Sequence, residues 1–403
     1  TVIREAKKLG ADDAVSLSAV SDEQMLRFAN NSLTVAKRIT ETGLLVYLTK
    51  NKRRVVGASS NPEESSVKGF VQKLFKSLKG LPPEPNYSPL PSKRRKYGPA
   101  GGFDRKIGEV ERQISEFARE AIEAAARAGA TRSAGAIEAS LASCYLMTST
   151  GIDGHDKRSK ILLNIRSFLD HESSGHGLSC SSTLAGFRPG EAGKRAGEDA
   201  KKMANPKRPE QGEYGILMSP TVASNLIALV GDFSSAFSVD AGTSYLAGKL
   251  GKKVASNVFT LKDHGWIRGG LGGRAFDDEG SPTQSTTIIE RGVLKNYLHN
   301  LTTSKKFKTK STGNAGWIEP NPWNLEVSAG DSAFDELVSE MRKGIILTSN
   351  WYTRFTNYRT GEFSTVPRDG AYLVEKGEVK GALNGLRVSD TLERMFSSVR
   401  SMS

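Results

Sequence analysis

The stretch Gly43-Leu44-Leu45-Val46-Tyr47-Leu48-Thr49, Lys50-Asn51-Lys52, Arg53-Arg54-Val55-Val56-Gly57-Ala58-Ser59 decides the fold class. It reads as two extended runs rich in β-branched and aromatic residues, joined by a short polar turn. Upstream, Leu33, Val35, Lys37 and Ile39 continue the alternation, so residues 24–59 read as antiparallel strands. Downstream the period changes. Asn61 is placed to cap a helix with Pro62 at its first position and Glu63 and Glu64 in its first turn. Val67, Phe70, Val71, Leu74, Phe75 and Leu78 recur at helical spacing, and Gly80 ends the run. Strands followed by a helix on one face predict an α+β unit over residues 1–80.

Residues 81–103 hold Pro82, Pro83, Pro85, Pro89, Pro91 and Pro99, the composition of an extended linker. A second unit, residues 104–211, repeats the order helix, strands, helix. Asp104 caps a helix with the face Ile107, Val110, Ile114, Phe117 and Ala121. Strands are expected near 140–148 and 161–168, and a helix over 191–203. Residues 212–403 read as a strand-rich α+β domain. It has a strand at 214–218, an apolar helix at 221–237, and hairpins about Arg291-Gly292 and Lys376-Gly377. Short helices near 332–343 and 389–398 complete it, and one strand is expected to run from Ile345 through Phe355.

Composition excludes several classes. Hydrophobic residues at 37% and charged residues at 25% describe a globular protein. No apolar run reaches eighteen residues, and the start Thr1-Val2-Ile3-Arg4-Glu5-Ala6-Lys7-Lys8 reads as an amphipathic helix rather than a signal peptide. Cys144 and Cys180 are too few for a disulfide framework, which fits a reducing cytoplasm. The net charge of +13 is spread along the chain as solvated surface. Its one dense run, Lys93-Arg94-Arg95-Lys96, lies in the linker with no nucleic-acid-binding motif beside it.

The carboxy-terminal half carries distinctive strings. They are Ser244-Tyr245-Leu246-Ala247-Gly248-Lys249-Leu250-Gly251, Phe276-Asp277-Asp278-Glu279-Gly280, Glu290-Arg291-Gly292-Val293-Leu294, Thr312-Gly313-Asn314-Ala315 and Asn357-Tyr358-Arg359-Thr360-Gly361-Glu362-Phe363-Ser364. In this order and spacing the chain resembles the TldD/PmbA family, once described as modulators of DNA gyrase and now regarded as peptidases. The resemblance implies two subunit types. The TldD type carries a His-Glu-x-x-x-His metal motif on the helix that opens the third section, with a later Cys as a further ligand. The PmbA type lacks both and pairs with the first. Here the corresponding helix, residues 220–237, has no His and no Cys, and no Cys follows Cys180. The resemblance therefore implies a PmbA-like subunit with no catalytic residue and no metal of its own. Zinc is expected in a metal-bearing TldD-like partner that cleaves unfolded or small peptides. A metal-independent peptide-binding or scaffold homodimer is the alternative. A nucleic-acid-associated regulator is a third reading, resting on charge alone.

One string confounds this reading. His171-Glu172-Ser173-Ser174-Gly175-His176 matches the metal motif by letters. Two imidazoles and a Glu suit a zinc-water site, yet residues five apart point about 140° apart on an ideal helix. The family's own motif has the same spacing, so position is the better argument. The string follows the strand-like 161–168, contains Gly175 and Gly177, and precedes the 191–203 helix instead of following it, so a turn with solvent-facing imidazoles is expected. His155, His264 and His299 read as isolated. Asp263-His264 makes no triad by adjacency, because a triad is defined in space. Gly269–Gly273 lacks the Lys-Ser/Thr ending of a phosphate loop and reads as flexible. Asp277, Asp278 and Glu279 read as solvated loop residues, with an acid–base pair as the alternative. The residues expected to bind peptide are Gly313, Asn314, Arg354, Asn357 and Phe363, with Trp317, Trp323, Trp351 and Tyr352 as apolar walls. Core roles for Gly313 and the aromatics are the competing reading.

Overall fold

A computed structural model describes residues 1–61, 63–93, 95–98 and 101–403. The expectations for Pro62, Arg94 and Pro99 lie outside the described residues. The amino-terminal part runs α1 (Val2–Lys8), β1 (Asp13–Ala29), β2 (Ser32–Lys50), β3 (Arg53–Ser59) and α2 (Glu64–Ser77). It continues through α3 (Ile114–Arg127), β4 (Arg132–Thr148), β5 (Asp153–Phe168), β6 (Ser174–Ser181) and α4 (Pro189–Lys202). The fold is α+β, and the two helix-and-strand units share one six-stranded sheet, ordered β3-β2-β1-β4-β5-β6. The join is β1 against β4, antiparallel from Val15↔Thr148 to Phe28↔Gly135.

Alternation along the strands decides what each face covers. Leu44, Val46 and Leu48 pack with Val67 and Val71 of α2. Tyr47, between them, points to the other face and joins Val15, Leu17, Cys144, Leu146 and Phe276. Over its described residues the linker has no helix or strand up to residue 103, as its prolines predict, but it is docked. Leu90 is buried, Glu84 N–H donates to the Lys52 carbonyl (2.8 Å), and Thr150 Oγ1 donates to the Pro91 carbonyl (2.7 Å). Asn61 does not cap α2, which starts at Glu64; its Oδ1 accepts from Glu63 N–H (3.0 Å) as a tight turn. Asp104 does cap, accepting from Lys106 N–H, but over a 3-10 turn at Arg105–Arg112 ahead of α3. β3 pairs only with Leu44–Lys50 of β2, so residues 32–43 form an open edge.

Strand β6 corrects the turn expected around His176. Gly175 and Gly177 are not turn glycines. An added Cβ would meet the Ala196 carbonyl oxygen at 2.2 Å and the Ala192 carbonyl oxygen at 1.9 Å. Helix α4 thus lies directly on the strand backbone. On its other side Gly193 and Gly197 meet the carbonyl oxygens of Ala121 and Ala125 in α3 at 2.0 and 2.3 Å. Small residues let strand, helix and helix stack at backbone distance, a requirement no period-2 pattern reveals.

The rest runs β7 (Gly215–Met218), α5 (Pro220–Phe233), α6 (Ala236–Asp240), β8 (Leu261–His264), β9 (Ser285–Glu290), β10 (Val293–Leu294), α7 (Leu301–Lys306) and β11 (Asn324–Val327). It ends with α8 (Phe334–Ser339), β12 (Lys343–Leu347), β13 (Asn350–Asn357), β14 (Glu362–Pro367), β15 (Ala371–Glu375), β16 (Glu378–Ala382), β17 (Val388–Thr391) and α9 (Leu392–Ser397). Three sheets result, ordered β10-β9-β8-β11, β16-β15-β12-β7 and β13-β14-β17, around a large apolar core. The single strand expected from Ile345 through Phe355 is instead two, β12 and β13, in different sheets. The chain turns at Thr348, which bonds across to the Gly370 carbonyl (N–H, 3.0 Å) and to Ser219 (2.8 Å). Among the described residues no helix is long and apolar enough to cross a membrane.

Polar contacts tie this half to the sheet and to α4, among them two clusters. Arg166 of β5 grips Asp369 through Nε (2.8 Å) and Nη2, and Ser174 Oγ donates to the same carboxylate (2.6 Å). Tyr372 of β15 donates to Asp199 of α4 (3.4 Å), whose carboxyl burial pushes up to about 6.

These contacts give two expectations. Gly177→Ala forces a methyl into the Ala192 carbonyl and is expected to destabilise by about 1–3 kcal/mol, read as a lower Tm. Asp199→Asn keeps an acceptor for Tyr372 and removes a buried charge. The folded pKa lies above the unfolded value of about 3.9, so the burial penalty is full above about pH 6 and disappears as pH falls below about 4. The Asn variant should therefore be more stable by about 1–3 kcal/mol at pH 7.5 and no more stable than wild type at pH 4, measured by denaturant melts.

Candidate peptide-binding site

Helix α5 begins where Ser219 Oγ accepts from Val222 N–H (3.4 Å) and Pro220 takes the first turn, where no N–H is needed. Val222, Leu226, Val230 and Phe233 form its buried face. Its open side carries Ser224, Asn225, Ala228 and Asp232. Asn225 Nδ2 donates to Asn350 Oδ1 (2.8 Å), tying the helix to the start of β13. At the other end Phe233 meets Phe355 edge-on (5.0 Å), Tyr245 (5.3 Å) and Tyr358 (6.2 Å). Helix and strand thus run together. Sequence reading missed this pairing because Asn225 and Asn350 are far apart in the chain and carry no motif.

β13 is the outer strand of its sheet. Simple alternation fails here: its register slips between Trp351 and Arg354, and Tyr352 holds φ 49°. The bulge turns three aromatic or cationic groups outward. Trp351 and Tyr352 are 42% and 64% exposed. Arg354 lies over the Tyr352 ring at 5.5 Å, and Arg368 over the Trp351 ring at 4.7 Å. Asn357 is exposed, and its Oδ1 accepts from Arg359 N–H (3.0 Å) to shape the turn into β14. Phe363 is buried beneath, in the apolar core.

Gly313 and Asn314 belong to another place. Asn314 is fully buried, donating through Nδ2 to Asp263 Oδ2 (2.6 Å) and to the Asn321 carbonyl (2.8 Å). Gly313 has φ 69°, and an added Cβ would sit 2.4 Å from the Pro282 carbonyl oxygen. Its own carbonyl accepts from Trp323 Nε1 (2.9 Å). The expected walls divide in the same way: Trp317 stacks on Tyr47 (5.2 Å), and Trp323 lies under Arg274 (4.9 Å). Burial pushes the Asp263 carboxyl up to about 6 against the pull of Asn314 and Trp323 N–H. Asp277 and Glu279, read as solvated, are buried instead. Asp277 accepts from the N–H groups of Glu279, Ser281 and Ala315, and Glu279 from that of Leu301 (2.9 Å). Asp278 pairs with Arg274 (2.9 Å). Nor is the glycine run loose: a Cβ on Gly272 would lie 2.0 Å from the Trp323 carbonyl oxygen.

The donor set does not fit a metal at α5, whose open side offers one carboxylate, Asp232, and no imidazole or thiolate. Among the described residues no three His, Cys, Asp or Glu side chains gather as a metal would require. His171 and Glu172 are exposed before β6, whereas His176 is half-buried on the strand with Nε2 3.1 Å from Asn164 Oδ1. His299 is buried against Thr303 (3.2 Å), and burial pushes its imidazole down to about 4. His155 stacks on Tyr145 at 4.1 Å.

Fold and site together define an α+β protein with a long antiparallel sheet and a strand-rich half that presents an aromatic and cationic edge. Residues 107–204 match the PmbA/TldA metallopeptidase central domain, and residues 211–403 match the PmbA/TldA metallopeptidase C-terminal domain. The chain belongs to the PmbA/TldD metallopeptidase family. It is 32% identical over 208 residues to Metalloprotease MJ0996 of Methanocaldococcus jannaschii, covering 49% of this chain and 45% of that protein. Metalloprotease PmbA of Escherichia coli O157:H7 is 27% identical over 186 residues, 46% of this chain and 39% of its own. The match thus spans less than half the length of these relatives. A Thermotoga maritima structure, TM0727, assigned provisionally as a modulator of a DNA gyrase, superposes with TM-score 0.88 at 25% identity, covering 99% of this chain and 92% of that one. TldE from Thermococcus kodakarensis gives TM-score 0.87 at 21% identity over 99% and 92% of the two chains, a likeness of fold.

Removing the amide at Asn314 takes from the buried Asp263 carboxylate its one side-chain amide donor and leaves it the backbone N–H groups of Trp323 (2.7 Å) and Asn324. Asn314→Ala is expected to cost about 2 kcal/mol or more in a chemical melt, with Asn314→Asp worse because it sets two carboxylates together.

Proposed function

We propose that this chain is the PmbA-type member of a peptidase pair, binding and orienting peptide while a metal-bearing TldD-like homologue supplies the zinc-water chemistry. The observation that carries the reading is α5. By the resemblance it corresponds to the family's metal helix, yet it carries no His and no Cys, and its exposed Asn225 bonds to Asn350 at the start of β13. Beside it stands an outer strand with an exposed arginine and two exposed aromatic rings, groups that grip a peptide carboxylate or carbonyl and cover its apolar side chains. Arg354 would hold a peptide oxygen through paired N–H donors, while Trp351 and Tyr352 exclude water beside it. The two free cysteines fit work in the cytoplasm.

The test is to purify the chain alone and with such a homologue, then count zinc and follow cleavage of an unfolded peptide. The chain alone should hold no stoichiometric zinc and cleave no peptide, while the mixture cleaves the peptide in a chelator-sensitive way. One zinc per chain, lost on changing His171 and His176 to Ala, would overturn the assignment. Within the pair, Arg354→Ala should cut turnover about tenfold, the loss of one charged hydrogen bond, with Tm unchanged. A lower Tm with unaltered turnover per intact complex removes Arg354 from the site.

A further inference from the structure

The sheet β10-β9-β8-β11 carries on its open face a constellation that adjacency in sequence could not show. His264 ends β8, and Ser285, which begins β9, is its direct cross-strand partner. On the other flank Asn324 of β11 is paired with His264, so Glu326, two residues on, lies on the same face diagonally across. The side chains meet in line. Ser285 Oγ is 3.0 Å from His264 Nδ1, and His264 Nε2 is 2.9 Å from Glu326 Oε2.

The hydrogen-bond partners decide the direction of this chain. An ionised carboxylate only accepts, so Nε2 carries the proton and donates to Glu326. Nδ1 then presents its lone pair to the Ser285 hydroxyl. This is the arrangement an activated nucleophile needs: a hydroxyl against a base, the base oriented by a third group. The three residues come from three strands of one sheet, a rigid setting. The backbone around the base is held as well. Asn324 Nδ2 donates to the His264 carbonyl (2.9 Å), and Asn324 Oδ1 accepts from Gly272 N–H (2.9 Å), pinning the glycine-rich loop beside the imidazole. Ser285 is exposed, and Trp266, 44% exposed at the same strand end, offers an apolar flank.

We propose that Ser285 is a nucleophile activated by His264, with Glu326 as positioning residue, and that it accepts acyl groups from small activated esters. Ser285 Oγ attacks the ester carbonyl, forming the Oγ–C bond while the bond from carbon to the leaving oxygen breaks. The hydroxyl proton passes to Nδ1 and from there to the departing alcohol. Water then attacks the acyl carbon, gives its proton to Nδ1 and breaks the C–Oγ bond, and that proton returns to Ser285. Acid and alcohol leave, and the enzyme is restored. This inference does not rest on the peptidase reading, since it uses a different sheet and no metal, so either can fail alone.

The test treats the full chain with a fluorophosphonate and locates the adduct by mass spectrometry, with a known serine hydrolase labelled in parallel. p-Nitrophenyl acetate supplies a second readout, the pre-steady-state burst of wild-type protein. One adduct per chain at Ser285 is expected, with a burst near one equivalent. Ser285→Ala should abolish both, and His264→Gln should slow labelling at least about 100-fold. Glu326→Gln should lower kcat about tenfold at unchanged KM, with Glu326→Asp restoring part of it, which a merely structural carboxylate would not do. The absence of an adduct at Ser285 while the control is labelled, or an equal labelling rate in His264→Gln, sinks the proposal. The burst needs no variant, so a change in folding cannot mask the outcome.

Discussion

Because β1 is hydrogen-bonded along most of its length to β2 on one side and to β4 on the other, the two amino-terminal units cannot be placed independently. That shared strand fixes the alternation of the whole sheet. It sends Leu44, Val46 and Leu48 toward α2, and Tyr47, Cys144 and Leu146 toward the carboxy-terminal half. A slip of one residue in the β1–β4 register would turn Cys144 and Leu146 to the opposite face from Tyr47 and take them from Phe276. The docked linker follows from the same constraint, since it must cross from α2 to α3 over a surface the sheet has already set.

Much of this was legible. Helical spacing over 67–78 reports burial on one face, and the structure obeys it because local period and tertiary core agree there. The alternation over 24–59 marks strands correctly, but Leu33, Val35 and Ile39 lie on an uncovered stretch of β2 and are exposed. What failed has a common cause. β6 is glycine-rich because α4 presses on its backbone, and that demand comes from a helix later in the chain. The break between β12 and β13 is set by Ser219 and Gly370, each distant in sequence. Neither leaves a periodic trace.

The candidate site divides along the same line. Arg354 and Asn357 stand exposed on β13, whereas Gly313, Asn314 and Phe363 are buried. Conspicuous strings in a sequence mark special backbone and special chemistry alike, and here Thr312–Ala315 and Phe276–Gly280 hold loops together with buried carboxylates fed by backbone N–H groups. Only contact across strands separated the roles, and it was also contact that joined His264 to residues 21 and 62 positions away.

The open edge of β2 over residues 32–43 has a consequence for how the molecule behaves among its own copies. Leu33, Val35 and Ile39 are 47%, 46% and 39% exposed there, beside backbone donors and acceptors that no neighbouring strand satisfies. Such an edge is a template for aggregation. Lys37 at its middle and Arg38, tethered to Asp22 (2.6 Å) and Glu111 (3.1 Å), set charge along it. Two such edges meeting at Lys37 repel, and salt weakens that repulsion within a Debye length of about 8–10 Å. Colloidal stability thus depends on a few charged side chains along one strand, and on the ionic strength around them.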